Sequence, residues 1–418
     1  MNFKNNAAVA VIGGGQAGLA VSYYLTQLQI DHVVFEKDRI GSSWTQQRWD
    51  SFRLNTPNWM NTLPGELMAP TVDPHAFTNH LAFVAKLQDY ARIHGLPVME
   101  HSEICQVTRD SNQDFFHLEV QSPSGTTHWT ARQLVVAAGM MNRPNIPALA
   151  RLLPPSIRQL HAIDYKNPDQ IAATNILIVG SGQTGCQLAE ELSATHRVYL
   201  STAKVGRSPR RYRGLDMMDW MNKMGIMDLS TQLLTESGQR EGTQPQVSGV
   251  GHYGHTISLQ SLRQQGVSLL GRCTHLDRDF LHFDASTLAH IHYADAFSAA
   301  LKAQVDRFVE NHNLKAIEDD NNDLADRPDC DQTTTYSTQL PLTAIDTVIW
   351  ATGYRADFDW IKFPIIGSNQ QPIHTDGVSP IKGIYYIGFP WLRKKKSGIV
   401  FGVAEDAAFI TKQIIRRL

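Results

Sequence analysis

Four short apolar runs in this chain stop abruptly at small residues. Val9, Val11 and Ile12 lead into Gly13-Gly14-Gly15, and Ile176-Leu177-Ile178-Val179 lead into Gly180-Ser181-Gly182. Leu134-Val135-Val136 end in Ala137-Ala138-Gly139, and Val348-Ile349-Trp350 end in Ala351-Thr352-Gly353-Tyr354. Such runs, bounded by glycine, predict strands buried on both faces. The first two are followed by helical patterns, Leu19 to Leu28 and Gln187 to Leu192, and then by the strands Val33-Val34-Phe35 and Val198-Tyr199-Leu200. Strand, helix and strand in this order, twice over, predict two parallel α/β units. Near the end, Ile384-Tyr385-Tyr386-Ile387 reads as a strand, and Ile399, Val403, Ala407, Ile410 and Ile414 fall at helical spacing.

The two turns have the same glycine pattern: Gly13-Gly14-Gly15-Gln16-Ala17-Gly18 and Gly180-Ser181-Gly182-Gln183-Thr184-Gly185. One such pattern says little, because glycines gather in many turns; here the strand before and the helix after are both present, twice. The first glycine makes the tight turn, the second lets a pyrophosphate approach the backbone, and the third lets helix and strand pack closely. The helix N-terminus is then open to an anion. Two such sites predict two dinucleotides, with electrons passing between them.

The strand after the first helix ends in Glu36, with Lys37 next to it, near the offset expected for a carboxylate on a ribose hydroxyl. This suits FAD, whose adenosine has no 2′-phosphate. The corresponding strand of the second unit ends in Ser201, which does not repel a 2′-phosphate, and Lys204, Arg207, Arg210, Arg211 and Arg213 follow. Arginine suits bidentate phosphate recognition, so the second site reads as NADPH, with Arg207, Arg210 and Arg211 as its phosphate residues. A solvated basic loop is the plain alternative.

The fold class expected is therefore α/β with two dinucleotide-binding Rossmann-like domains, the NADPH domain inserted into the FAD domain. Residues 1–165 form the first part of the FAD domain, 166–340 the NADPH domain, and 341–418 complete the FAD domain. The stretch Arg143-Pro144-Asn145-Ile146-Pro147 is punctuated like a domain exit. A chain of 418 residues has room for this arrangement.

Composition narrows the setting. A net charge of −2 gives no reason to expect nucleic acid or an anionic membrane as partner. The four cysteines, Cys105, Cys186, Cys273 and Cys330, form no CxxC pair, which argues against a disulfide scaffold, a zinc site or dithiol redox chemistry. The expected location is the cytoplasm, because the first apolar run reads as a strand rather than a leader, and no run is long enough to span a bilayer.

These residues resemble the class B flavoprotein monooxygenases, the superfamily of flavin-containing and Baeyer–Villiger enzymes. Besides the two turns, the resemblance rests on Gly41-Ser42-Ser43-Trp44 leading to Arg48-Trp49-Asp50, and on Arg53-Leu54-Asn55-Thr56-Pro57. Pro209-Arg210-Arg211-Tyr212-Arg213-Gly214 and Ala351-Thr352-Gly353-Tyr354 complete it, so it covers nearly the whole chain. The resemblance implies FAD on Gly13, Gly15, Gln16, Ala17, Gly18 and Glu36, with Trp44, Arg48 and Leu54 along the flavin. It implies NADPH on Gly180, Ser181, Gly182, Gln183, Thr184 and Gly185. The strand ends at Ala138-Gly139 and Ala351–Tyr354 would line the two crossings between domains. The family's histidine signature is matched only at His161 and Tyr165, and Gly388 is followed by Phe389 where many two-dinucleotide flavoproteins have Asp.

The activity implied is NADPH-driven reduction of the flavin, reaction with O2, and transfer of one oxygen atom from a flavin C(4a)-hydroperoxide to a small organic nitrogen or sulfur nucleophile or a carbonyl. Asn55 is the candidate catalytic amide, with a turn residue before Thr56-Pro57 as the alternative. An NADPH-dependent flavin oxidoreductase or oxidase without oxygen transfer, and a non-catalytic flavoprotein sensor, stay open beside it. Met217, Met218, Met221, Met224 and Met227 read either as the wall of an apolar channel or as a core face. Arg393-Lys394-Lys395-Lys396 reads as a solvated run, or as the source of one cation near reduced flavin. His161 reads as a hydrogen-bonding residue between domains. Trp59, Met60, Phe77, His252, Tyr253 and His255 are candidates for approach to the substrate, and Glu318–Asp323 is expected to be a solvated acidic loop.

Overall fold

The computed structural model describes residues 5–109, 115–172, 174–233, 246–251, 254–315, 323–328, 334–367 and 371–418. Strand β1 (Asn5–Ile12) runs into the first glycine turn, helix α1 (Gln16–Gln27) leaves it, and β2 (His32–Phe35) returns parallel to β1, with Phe35 opposite Ile12. The short α2 (Ser42–Gln46) and the longer α3 (His80–Ile93) follow, and β3 (Val98–Met99) extends the parallel edge beside β2. Strands β4 (Glu103–Arg109), β5 (Phe116–Ser122) and β6 (Gly125–Val136) form an antiparallel meander whose last member runs parallel to β1.

The chain leaves this sheet through β7 (Arg143–Pro144) and enters a second one. Strand β8 (Arg158–His161) comes first, then β9 (Asn175–Val179), α4 (Gln183–Ser193) and β10 (Arg197–Ser201) repeat the turn-and-helix unit. Two-residue strands β11 (Gly206–Arg207), β12 (Arg211–Tyr212) and β13 (Leu215–Asp216) precede α5 (Met217–Lys223) and β14 (Gln246–Val247). Then come α6 (Leu259–Gln264), β15 (Ser268–Leu270), β16 (Cys273–Leu276), β17 (Phe280–Phe283) and the long α7 (Thr287–Asn311). Strand β18 (Gln339–Pro341) pairs with β17, and β19 (Thr347–Trp350) enters the parallel sheet, whose order is β15-β10-β9-β19-β8. Finally β20 (Tyr354–Arg355) pairs antiparallel with β7, β21 (Ile384–Tyr386) pairs parallel with the end of β6, and α8 (Val400–Ile415) packs on α1.

The first sheet thus takes its strands from both ends of the chain, and the second from the middle. The sheets do not follow the divisions at 165 and 341 drawn from the sequence. Arg158–His161 and Thr347–Trp350 lie side by side in the second sheet, with Trp350 opposite His161. Their pairing is long-range and leaves no trace in the local pattern.

Alternation along the strands separates two apolar layers. Val9, Val11, Val34 and Val135 face the side covered by α1, α3 and α8, while Ala10, Phe35, Leu134 and Val136 face the layer that contains Phe116, Phe358 and Phe389. Burying each such large side chain stabilises the fold by about 1.5–3 kcal/mol relative to exposure. Of the two readings of the methionine stretch, the core one describes what is seen: Met217, Met221 and Met227 pack with Met60, Trp220, Leu301 and Val305. Residues His252, Tyr253 and Cys330, and the acidic stretch up to 322, lie outside the described residues. Among the described residues, no helix is long and apolar enough to cross a membrane.

Candidate functional site

The two glycine turns are built to the same geometry. Gly13 has φ +113° and Gly180 φ +108°, the left-handed side that favours glycine. A Cβ on Gly13 would lie 2.6 Å from the Ala137 carbonyl oxygen, and one on Gly180 would lie 2.6 Å from that of Ala351. The third glycines meet the first: a Cβ on Gly18 would lie 1.9 Å from the Gly13 carbonyl oxygen, and one on Gly185 would lie 1.8 Å from that of Gly180. These four positions are therefore glycine for steric reasons. Gly15 differs, since a Cβ there would meet nothing within 4 Å. No steric reason within the described residues requires glycine there.

Gly15 is the N-cap of α1 and Gly182 that of α4, and neither helix start has a side-chain cap or an acidic residue in its first turn. The first N–H groups of both helices are thus left to an anion. At the first turn, buried Glu36 accepts from the Gly14 N–H at 2.7 Å and the Asp38 N–H at 3.0 Å. The carboxylate is held at the end of β2, with exposed Lys37 beside it. At the second turn the corresponding Ser201 is buried, and its hydroxyl donates to the Gly271 carbonyl at 3.0 Å. Strand β10 itself thus ends in a hydroxyl where β2 is followed by a carboxylate.

Other expected residues of the second turn serve the protein itself. The Gln183 amide donates to the Ser248 carbonyl at 2.6 Å and accepts from the Ser248 N–H at 2.9 Å, a two-way clamp on the segment after β14. The Ser181 hydroxyl accepts from the Ala203 N–H at 2.9 Å. Arg207, expected on a phosphate, is engaged within the protein. Its side chain is 2% exposed, donating to Asp326 at 2.8 Å and to Asp295 at 2.6 Å. Burial works against the Asp326 carboxylate, but Ser298, Lys302 and Arg207 hold its pKa below the ordinary range. Arg210 is also buried and paired, with Asp216. Arg211 is exposed on β12, and Lys204 is exposed with its ammonium 4.7 Å from the Tyr293 ring centre.

Between the turns, Trp44 on α2 donates to the Gln16 side chain at 3.1 Å. The Arg48 guanidinium lies 5.1 Å from the ring centres of both Trp44 and Phe52, and its Nε has no partner among the described residues. No carboxylate pairs with it among the described residues, and burial lowers its pKa. A guanidinium backed by aromatic rings, with no acid of its own, is poised for an anionic or π-rich ligand. Leu54 is buried and Asn55 exposed; Arg210 reaches the Asn55 carbonyl at 3.3 Å and stacks over Phe77 at 4.9 Å. This link between the Asn55 loop and the Arg210 hairpin joins segments 155 residues apart, which no local pattern marks.

Ala138-Gly139 and Thr352-Gly353 mark the two crossings between the sheets. The Ala138 carbonyl accepts from Asn142, and the Thr352 carbonyl accepts from Asn145. His161 lies at 3.0 Å from the Gly353 carbonyl and edge-on to Tyr354, at a ring separation of 5.1 Å. Burial lowers the His161 pKa, in keeping with a hydrogen-bonding part between the sheets. The run Arg393–Lys396 is not a solvated face. Lys394 and Lys396 both pair with Asp228 and Glu405, Arg393 pairs with Glu405 and Asp406, and Lys395 is half-buried with its pKa lowered by burial.

The three described cysteines are free. Burial raises the Cys186 thiol to about 12 and the Cys273 thiol to about 11. Neither is a reactive thiolate at neutral pH.

Residues 10–219, both glycine turns included, match the family described as pyridine nucleotide-disulphide oxidoreductase. An uncharacterized CzcO-like oxidoreductase of Geobacillus kaustophilus is 28% identical over 410 residues, 97% of this chain and 98% of the relative. A probable indole-3-pyruvate monooxygenase of Arabidopsis thaliana, YUCCA4, is 25% identical over 429 residues, 96% of this chain and 89% of that one. Among solved structures, the flavin-containing monooxygenase from Stenotrophomonas maltophilia shares the fold with a TM-score of 0.66 at 17% identity, covering 99% of both chains. The repeated glycine turn in its sheet context and the match across both copies lead to one conclusion: the chain belongs to the pyridine nucleotide-disulphide oxidoreductase family.

Proposed function

We propose that this protein holds FAD at the first glycine turn and NADPH at the second, and acts as an NADPH-driven monooxygenase on a small organic nitrogen or sulfur nucleophile or a carbonyl compound. One observation carries the reading: two turns of equal geometry, one ended by the Glu36 carboxylate and the other by the Ser201 hydroxyl. The open space at Gly15 and the uncapped starts of α1 and α4 fit two pyrophosphates. When bound, this cofactor pair supplies hydride transfer, O2 activation and delivery of one oxygen atom.

Gly13, Gly15 and Gly18 would shape the FAD site, with Glu36 accepting from the adenosine ribose. Trp44 and Arg48 would lie along the flavin, the guanidinium serving as the positive group in a water-poor setting. The Asn55 amide would donate to the reacting oxygen, and Arg210 would fix its loop through the Asn55 carbonyl. Gly180, Gly182, Thr184 and Gly185 would shape the NADPH site. Arg211 and Lys204, both exposed, would meet the 2′-phosphate; Arg207 and Arg210 are buried in ion pairs. The second sheet would be the NADPH-binding domain, inserted between β6 and β21 of the FAD-binding one. The compartment we infer is the reducing cytoplasm, where these cysteines stay as thiols.

The relative named as an indole-3-pyruvate monooxygenase and the flavin-containing monooxygenase neighbour support oxygen transfer. Dithiol–disulfide exchange, which the family description names, lacks a cysteine pair among the described residues. The test is to supply the purified protein with FAD, NADPH and isotopically labelled O2, with an aryl methyl sulfide, a tertiary aniline, a cyclic ketone and a 2-oxo acid in turn. Label in one of the products supports the reading. NADPH consumption matched by hydrogen peroxide with every compound replaces it with an oxidase, and failure of NADPH to reduce bound flavin removes it.

A further inference from the structure

Helix α4 begins at the second glycine turn and, near its other end, carries Glu191. This carboxylate holds one group from the segment after α2 and one from the loop between β8 and β9. One oxygen accepts from the Ser51 hydroxyl at 2.8 Å, and the other accepts from the Tyr165 hydroxyl at 3.1 Å. No cation pairs with it among the described residues. Burial holds its carboxyl above the ordinary range, and the hydrogen bonds from Ser51 and Tyr165 act the other way.

Ser51 is itself held from behind. The Lys166 ammonium donates to the Gln46 carbonyl at 2.5 Å and the Arg48 carbonyl at 3.0 Å, closing the end of α2. The Asp50 N–H donates to the Lys166 carbonyl at 2.8 Å, and the Asn167 amide donates to the Asp50 carboxylate at 2.7 Å. At its start the same short segment ties Trp44 to Gln16, the first residue of α1. A continuous line of polar contacts therefore runs from the start of α1 through α2 to α4. It joins the two helices whose N-termini are the anion sites, and it runs through Glu191, which belongs to neither site.

We propose that Glu191 is a positioning residue: by bridging Ser51 and Tyr165 it sets the separation of the two cofactor sites, and through it the rate of hydride transfer. This rests on the reading of the second turn as the NADPH site. A carboxylate suits the task, since it accepts two hydrogen bonds from two different segments at once. Hydride transfer is the step most sensitive to such spacing, because misplacement by about 1 Å can cost about 100-fold in rate.

The test pairs Glu191→Ala with Glu191→Gln in the FAD-loaded full chain. Three quantities are read: the anaerobic flavin reduction rate at saturating NADPH, the NADPH Kd, and hydrogen–deuterium exchange of residues 49–52 and 162–167. In Glu191→Ala the saturated rate falls about 10-fold or more, the Kd stays close to wild type, and exchange in both segments rises. In Glu191→Gln, whose amide oxygen accepts from one hydroxyl while its NH2 donates to the other, both contacts persist and most of the rate returns. An unchanged rate in the alanine variant overturns the proposal, as does a weaker Kd with an unchanged rate. A glutamine variant as slow as the alanine one also overturns it, since charge and not position would then be required. Should Glu191→Ala fail to fold, Ser51→Ala with Tyr165→Phe removes both donors and keeps the carboxylate, with the same slow reduction expected. If NADPH fails to reduce even the wild type, the functional reading has failed and not the bridge; unchanged exchange in both segments of the variant would then overturn the bridge.

Discussion

At the scale of single residues, glycines with the same one-letter code have separate jobs, and substitution distinguishes them. Gly15→Ala places a methyl group in open space at an ordinary φ of −84°, so the protein should fold with near-native Tm. If the turn holds FAD as proposed, the variant should nevertheless purify without yellow colour, because the methyl would occupy the side from which the pyrophosphate would approach. Absorbance near 450 nm together with a thermal melt checks both halves, and retained stoichiometric FAD would contradict the assignment. Gly18→Ala is the contrast, since its methyl would run into the Gly13 carbonyl. It should lose about 3 kcal/mol or more of stability by overpacking, whether FAD is present or not. The glycine turns and the place of Glu36 were legible in the sequence because they are local, set by a strand end and a fixed offset. The fate of Arg207 was not, because its partners Asp295 and Asp326 lie on distant segments. Nothing local marks an arginine as paired.

At the scale of elements, two arginines of one basic stretch should part company. Arg207→Met removes one partner from a buried ion network, which costs about 3–5 kcal/mol, and should appear in denaturant melts as a general loss of stability. Arg211→Ala should weaken NADPH about 10-fold or more, as expected for loss of a charge-assisted phosphate contact, with NADH little changed. Equal losses for the two nucleotides would remove the 2′-phosphate assignment. Helix α4 also carries Glu190, whose carboxylate lies 3.0 Å from His255. The Glu190 hydrogen bond raises the His255 pKa above its reference of 6.5, against burial. A raised folded pKa means that the pair's stabilisation is fully present below pH about 6.5 and fades as the pH rises through the folded value. The stability lost in His255→Ala should therefore be larger at pH 6 than at pH 9, in paired melts. Element types were readable from periodicity, helix α1 and strand β9 among them. The limits of the second sheet were not, since β8 and β19 find each other only across the folded molecule. The methionine stretch was ambiguous for a related reason: a row of Met at helical spacing looks the same whether it faces a channel or Trp220 and Val305.

At the scale of the whole molecule, the two segments that join the sheets lie against each other. Tyr354 pairs with Pro144 and Arg355 with Arg143, and Asn145 bonds to Thr352 and Gly353 across the gap. The sequence marked both places, one by prolines and the other by small residues, but not their contact. That contact bears on the order in which the chain folds. Strand β6 must find β21, pairing Leu134 with Ile384, and closing so long a loop is entropically costly and slow. Once the middle of the chain has folded and zipped β7 to β20, only a few tens of residues remain between the partners. The second sheet should therefore acquire its amide protection first, and β21 with α8 should dock last. Pulse-labelling during refolding checks this, and protection of Ile384–Tyr386 before Thr347–Trp350 would refute it. A chain cut short before β21 should still form its second sheet, leaving the groove beside α1 and the end of β6 exposed and prone to aggregation.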